Sequence, residues 1–152
     1  KDAARVMFAE VGTRFFYTQH GSFDTHGGEL PVHSKLWEDV SSSIGDFMDD
    51  VREHGQGEST AILVFSEFGR RIKDNGSGTD HGSGGVAFLI GDSVKGGMYG
   101  RYPSLKETDQ LNGDLHANND FRSVYTNILE EWFDLDPVPI VNGNFEKFDI
   151  FE

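Results

Sequence analysis

Cysteine is absent from all 152 residues. Its absence excludes a disulfide framework and any Cys-based zinc site. It suits an oxidising compartment without demanding one. Basic residues are also scarce: 13 Lys and Arg stand against 26 Asp and Glu, a formal charge of −13. Such a balance argues against nucleic acid or anionic membrane as a partner, since both are bound through basic patches. No apolar run approaches the ~18 residues that a membrane-spanning helix requires. The chain has neither an initiator Met nor a signal-peptide pattern at its start. It opens Lys1-Asp2-Ala3-Ala4-Arg5-Val6-Met7-Phe8, which reads as a helix already under way. The expectation is the later part of a longer polypeptide, so a missing targeting segment carries no weight.

What is present is core material: 13 Phe, 2 Trp and a hydrophobic fraction of 36%. That content is too high for a disordered chain. The length suits one domain, which at this size buries roughly 70% of its unfolded surface. Residues 1–10 read as helix, and Arg14 to Gln19, rich in aromatics, as a short strand. Apolar residues at 32, 36, 40, 44, 47, 48 and 51 predict an amphipathic helix from Val32 to about His54. Ala61 to Phe65 is a continuous apolar run of strand length, as expected of a strand buried on both faces. Strand, helix, strand predicts a parallel βαβ unit with a right-handed crossover. The six glycines from Gly69 to Gly85 predict a loop, and Val86 to Ile90 a third buried strand. Asn118 or Asn119 can cap a last helix with Phe121, Val124, Tyr125, Ile128, Leu129 and Trp132 on its apolar stripe. No repeat or linker interrupts residues 1–152. The expected fold is a single α/β unit, a mostly parallel sheet with flanking helices, and an incomplete domain.

Acids and histidines cluster where strands end. The first strand leads into Gly21-Ser22-Phe23-Asp24-Thr25-His26, the second into Ser66-Glu67-Phe68-Gly69-Arg70-Arg71. Thr79-Asp80-His81-Gly82 precedes the third. Ligands of open parallel sheets bind beyond the carboxyl ends of the strands, so Asp24, His26, Glu67, Asp80 and His81 are expected at one rim. Carboxylates packed together repel, and a divalent cation offsets that repulsion. Mixed carboxylate and imidazole sets suit zinc, manganese or iron, whereas extra carboxylates favour magnesium or calcium. The expected cofactor is one or two divalent ions, with zinc, manganese, magnesium and calcium all open.

Each residue has a plainer reading. Asp24 alone could form a turn, Asp80-His81 a loop hydrogen bond, and Glu67 a salt bridge to Arg70 or Arg71. A carboxylate after five apolar residues is nevertheless expected to be partly buried, and a buried carboxylate must be paired or bind metal. His20, His54 and His116 read as structural or solvated, as does His33 by a smaller margin. Asp39, Asp46, Asp49 and Asp50 read as a solvated helix face. Arg70, beside a metal site on an acidic protein, suits an anionic substrate.

Ser22-Phe23-Asp24-Thr25-His26, Ser66-Glu67-Phe68-Gly69-Arg70-Arg71 and Asn75-Gly76-Ser77-Gly78-Thr79-Asp80-His81-Gly82 together resemble the DUF1501 proteins. Lys95 to Gly100 and Asp120 to Tyr125 extend the match through the C-terminal part of that family. The resemblance implies similarity to the alkaline phosphatase and sulfatase superfamily, an α/β fold with metals at strand ends. By position Asp24 resembles its first Asp ligand and His81 its later His, with Glu67 where an Asp-His pair begins. Phe68 stands where that pair has its His. The nucleophile and an early Asp ligand are implied to lie outside these residues, and Ser66 is not nominated. The resemblance also implies export by a twin-arginine signal, hence a periplasmic or extracellular location. The resulting expectation is a metal-dependent hydrolase of phosphate or sulfate esters. The alternatives are a non-catalytic exported binding or assembly protein, which could keep a structural metal, and a calcium-stabilised surface module, which the histidines disfavour.

Overall fold

The computed structural model describes residues 2–152. Helix α1 (Asp2–Phe8) occupies most of the expected first helix, with Lys1 outside the described residues. It docks on helix α2 (Glu29–Glu53), where the Phe8 ring stacks on His54 with centroids 3.8 Å apart. The apolar spacing of α2 is realised from Leu36 onward: Leu36, Met48 and Val51 are buried and Val40, Ile44 and Phe47 half-buried, whereas Val32 is 42% exposed. The helix begins three residues before Val32. Gly28, at φ 61°, turns the chain into it, and Pro31 falls in the first turn. A first-turn N–H has no intrahelical acceptor, so proline is tolerated there.

Four strands follow, β1 (Ala61–Val64), β2 (Gly69–Asp74), β3 (Thr79–Gly82) and β4 (Phe88–Gly91). They do not form the expected parallel sheet with flanking helices. Among the described residues there are two antiparallel ribbons of two strands each, β1 with β4 and β2 with β3. The β2–β3 hairpin is nested inside the wider β1–β4 pair. The parallel reading fails at its first strand. Residues 14–19 join no ladder, and Phe15 and Tyr17 are 73% and 64% exposed. Strand propensity in aromatics reflects packing against a neighbour; without one, the segment is extended chain.

The glycine-rich stretch expected to be a loop contains the inner hairpin. Asn75-Gly76-Ser77-Gly78 makes its turn. Asn75 Oδ1 accepts from the Ser77 and Gly78 amides, and Asp74 Oδ1 from Gly76 N at 2.6 Å. Gly76 supplies the positive φ (102°) that the turn requires.

After a single 3₁₀ turn (Glu107–Asp109), the chain forms helix α3 (Phe121–Asn127), a π turn (Ile128–Trp132) and the short α4 (Val138–Val141). Asp120, rather than Asn118 or Asn119, caps α3 through the Arg122 amide at 2.9 Å. The buried side of α3 is Ser123, Thr126 and Asn127, whereas Phe121 of the expected apolar stripe is 67% exposed. Asn127, with no exposed surface, donates to Phe148 O and Glu131 Oε1 and accepts from Phe148 N, tying the C-terminal segment to the helix. The accessible surface totals 10560 Å². A compact chain of 16.9 kDa exposes about 7,700 Å². The excess fits a thinly covered chain: every residue of β1 is only half-buried, and Leu30 of α2 and Val86 before β4 are 88% and 63% exposed.

Candidate metal centre

Two segments build the site. The loop of residues 20–28 carries Asp24 and His26, and β3 carries Asp80 and His81. Several contacts hold the loop on the hairpin. Gly28 N donates to Ser77 Oγ at 2.8 Å, Glu29 N to Ser77 O at 3.1 Å, and Thr79 Oγ1 to Glu29 Oε2 at 2.8 Å. Gly78 makes this approach possible: a Cβ there would lie 2.6 Å from Thr25 O. Phe23 anchors the other end of the loop, packing edge-on against His33 and Trp37 of α2; Trp37 in turn meets Phe88 of β4.

Arg70 is the clasp between the two segments. Its guanidinium donates to the Phe23 carbonyl at 2.6 Å, to Thr25 Oγ1 at 3.2 Å and to the Thr79 carbonyl. It also lies over the Phe68 ring, 5.0 Å from the centroid. Both terminal nitrogens of the side chain expected to meet an anionic substrate are thus engaged within the chain.

The loop and hairpin bring Asp24, His26 and His81 together, with one ligand atom from each lying within 4.8 Å of the others. His81 Nε2 and His26 Nε2 lie 2.8 and 3.0 Å from the same atom, Asp24 Oδ1. Ligand atoms on an ion with bonds of about 2.0–2.1 Å sit roughly 3.0–3.4 Å apart, so small shifts would close the triad around one. All three residues are exposed and accessible to an ion from solvent.

Asp80 backs the triad. Its Oδ1 lies 3.3 Å from His26 Nδ1 and accepts from Asn75 Nδ2 at 3.0 Å, while Asn75 also donates to the His26 carbonyl. A carboxylate behind the far nitrogen of a ligating histidine fixes the ring and raises its basicity. Carboxylates only accept, so His26 satisfies both neighbours by donating from both nitrogens, or by giving one lone pair to an ion. Asp24 is held below the usual carboxylate range, chiefly by its hydrogen bond to His81 and further by the charges of His81, His26 and Arg70. Asp80 is lowered as well, first by Asn75 and then by His26. Both carboxylates are therefore ionised at neutral pH.

Glu67 stands apart. Strand β1 ends at Val64, Phe65 is 49% exposed, and Glu67 is exposed rather than partly buried. It is not among the clustered ligand atoms. Its neighbour Phe68 does contribute, stacking on the His81 ring at 4.0 Å with planes 14° apart. His26 lies near His81, with centroids 4.7 Å apart. Phe68 thus forms a platform that orients the His81 ring. Sequence reasoning missed both the hairpin and Asn75; the Asn-Gly pair is a signal for such a turn, but nothing in the sequence announces the bonds of Asn75 to Asp80 and His26. His33 packs on Phe23, with Nδ1 3.4 Å from Glu29 Oε1, and His54 stacks on Phe8. The solvated helix acids stand as expected at Asp39 and Asp49, which pair with Lys35 and Arg52.

No curated protein and no solved structure is similar to the chain. One family model, described as a protein of unknown function (DUF1501), matches residues 3–135. With that match spanning most of its length, the chain belongs to the DUF1501 family.

Proposed function

We propose that Asp24, His26 and His81 hold one divalent transition-metal ion and that the protein is a metal-dependent hydrolase of phosphate or sulfate esters. The convergence of two imidazoles on one carboxylate oxygen carries the reading. Two nitrogen donors in a set of three favour zinc, manganese or iron over magnesium and calcium, which prefer oxygen. Three protein ligands leave coordination open, as in catalytic rather than closed structural sites. Such an ion supplies Lewis acidity and lowers the pKa of water. The protein's residues do the rest. Asp80 and Asn75 hold the His26 ring, Phe68 holds the His81 ring, and Arg70 keeps the loop on the hairpin. On a chain of charge −13, the ion also supplies the local positive sign that an anionic ester needs. Kinship with the alkaline phosphatase and sulfatase superfamily enters this reading through the order of donors, Asp24 before His81. The sheet arrangement lends it nothing. An exported location belongs to the same proposal, since a chain without thiols has none to oxidise outside the cytoplasm.

The test strips the protein with a chelator, reloads it with zinc, manganese or iron, and measures metal content and hydrolysis of aryl phosphates and sulfates. Asp24→Asn and His81→Ala should each abolish stoichiometric metal. Unchanged metal content in both would overturn the site. Full loading without hydrolysis of either ester class would overturn the enzyme and leave a metal-bearing binding protein. The internal engagement of Arg70 favours that second reading.

A further inference from the structure

Asparagine precedes glycine three times, at Asn75-Gly76, Asn112-Gly113 and Asn142-Gly143. In such a pair no side chain shields the glycine nitrogen. That nitrogen can attack the asparagine Cγ, and the Nδ2 group leaves as ammonia with the glycine N–H proton. Water then opens the cyclic imide at either carbonyl, so an aspartyl or isoaspartyl residue replaces the asparagine. The three pairs stand in different surroundings. Asn112 and Gly113 form the turn between Leu111 and Asp114, and neither the Asn112 side chain nor the Gly113 nitrogen has a hydrogen-bond partner among the described residues. Gly143 N donates to Val138 O at 3.2 Å, which ties the attacking atom to α4.

Asn75 is held on every side. Its Oδ1 accepts from the Ser77 and Gly78 amides, and its Nδ2 donates to the His26 carbonyl and to Asp80 Oδ1. Gly76 N, the attacking atom, is turned to Asp74 Oδ1 at 2.6 Å. The turn is also braced from outside, where Ser77 Oγ and Ser77 O accept from the Gly28 and Glu29 amides. Both Asn75 and Gly76 are exposed, so water reaches the pair.

We propose that Asn75-Gly76 is a gated deamidation site, locked while the loop of residues 20–28 is docked on the hairpin and labile when the loop lifts. Closing the imide ring requires the Asn75 carboxamide to leave its four partners for the Gly76 nitrogen. Opening is fast against this chemistry, so the rate follows the population of the lifted state. The product then fixes that state. A carboxylate has no donor; where Nδ2 was bonded it meets the Asp80 carboxylate 3.0 Å away and the His26 carbonyl 3.1 Å away. An isoaspartyl linkage also lengthens the main chain of the turn that carries Ser77 to Gly28. A passing opening thereby becomes a permanent release of the loop. Docking alone sets this behaviour, with no part for an ion, so its test is independent of metal binding.

The full chain is aged in neutral buffer with a chelator, and peptide mapping measures aspartyl and isoaspartyl product at positions 75, 112 and 142. Position 112 reports the unprotected rate and position 142 global unfolding. Product at 75 should form about tenfold more slowly than at 112, or slower still, as a closed local equilibrium dictates. Arg70→Ala removes charged bonds across the joint and should speed position 75 about tenfold, the worth of one such bond, with 112 and 142 unchanged. Equal rates at 75 and 112, no acceleration at 75 in Arg70→Ala, or the same acceleration at 142 would each overturn the gate. Asn75→Asp copies the product: the Gly28 and Glu29 amides should lose hydrogen-exchange protection while those around Met48 keep theirs. Unchanged protection of Gly28 and Glu29 would overturn the release.

Discussion

Replacing Arg70 with alanine tests whether the site depends on the clasp between loop and hairpin. In the structure one guanidinium joins Phe23 and Thr79 carbonyls that lie on different segments, with Thr25 as a third acceptor. A hydrogen bond involving a charged group contributes about 1.5–3 kcal/mol. Two such bonds, partly replaced by water once lost, give an expected destabilisation of roughly 2–4 kcal/mol. The loop keeps its ties from Gly28 to Ser77 and from Asn75 to the His26 carbonyl, so only part of that energy appears as lost docking. If about 2 kcal/mol does, zinc affinity falls roughly 30-fold, since 1.4 kcal/mol is a factor of ten. Competition with a chromophoric chelator reads the affinity, and circular dichroism reads the midpoint. Arg70→Lys should fall between the two, because one ammonium cannot reproduce a planar fork spanning two segments. His81→Ala supplies the ligand-loss reference. A lower midpoint with unchanged zinc affinity in Arg70→Ala would refute the coupling. Unchanged affinity with a raised KM for an aryl phosphate would instead return Arg70 to the substrate.

Two further perturbations probe separate links. Gly78→Ala places a Cβ 2.6 Å from the Thr25 carbonyl and 3.0 Å from the His26 backbone carbon, so it should push the loop off the hairpin, lower the midpoint and lose metal without touching a ligand; retention of native affinity would show that the approach is not needed. Asp120 is lowered from 3.8 to about 2, first by its side-chain bonds to Arg122 and then by the Arg122 amide. A depressed carboxylate stabilises above its unfolded pKa and loses that contribution as pH falls from about 3.8 through about 2. Asp120→Asn should therefore flatten the acid limb of the midpoint in that window, and an Asp120 carboxyl titrating at 3.8 by NMR would contradict the cap.

How far the sequence foretold this arrangement depends on the range of the forces involved. Helix α2 was legible because seven apolar positions repeat at helical spacing, a local signal that tertiary context did not override. Its true start was hidden by Pro31, which reads as a breaker although the first turn accepts it. Ala61 to Val64 was legible as a strand, but its direction of pairing was not. A continuous apolar run is the same whether its neighbour runs parallel or antiparallel, and the partner β4 is selected by contacts almost thirty residues away. Glycines at 76 and 78 looked like loop because a turn and a close backbone approach both require them. In the site, Asp24, His26 and His81 could be nominated from residue type, yet Glu67 could not be separated from them. Where β1 ends, and hence which carboxylate is carried outward, is decided by the hairpin that follows.

The hydrogen bond between Asp24 and His81 spans 57 positions of sequence. An ion held by both in the folded chain, and released when the site opens, would tie the ends of that loop together and stabilise the fold by mass action. At a free ion concentration one hundred times the dissociation constant, that stabilisation is about 2.7 kcal/mol. A polypeptide with no cysteine has no disulfide with which to staple so long a loop. The metal would then be a fastener as much as a reagent. Thermal stability would follow its free concentration, and depletion of the ion would open the loop before any chemistry was asked of it.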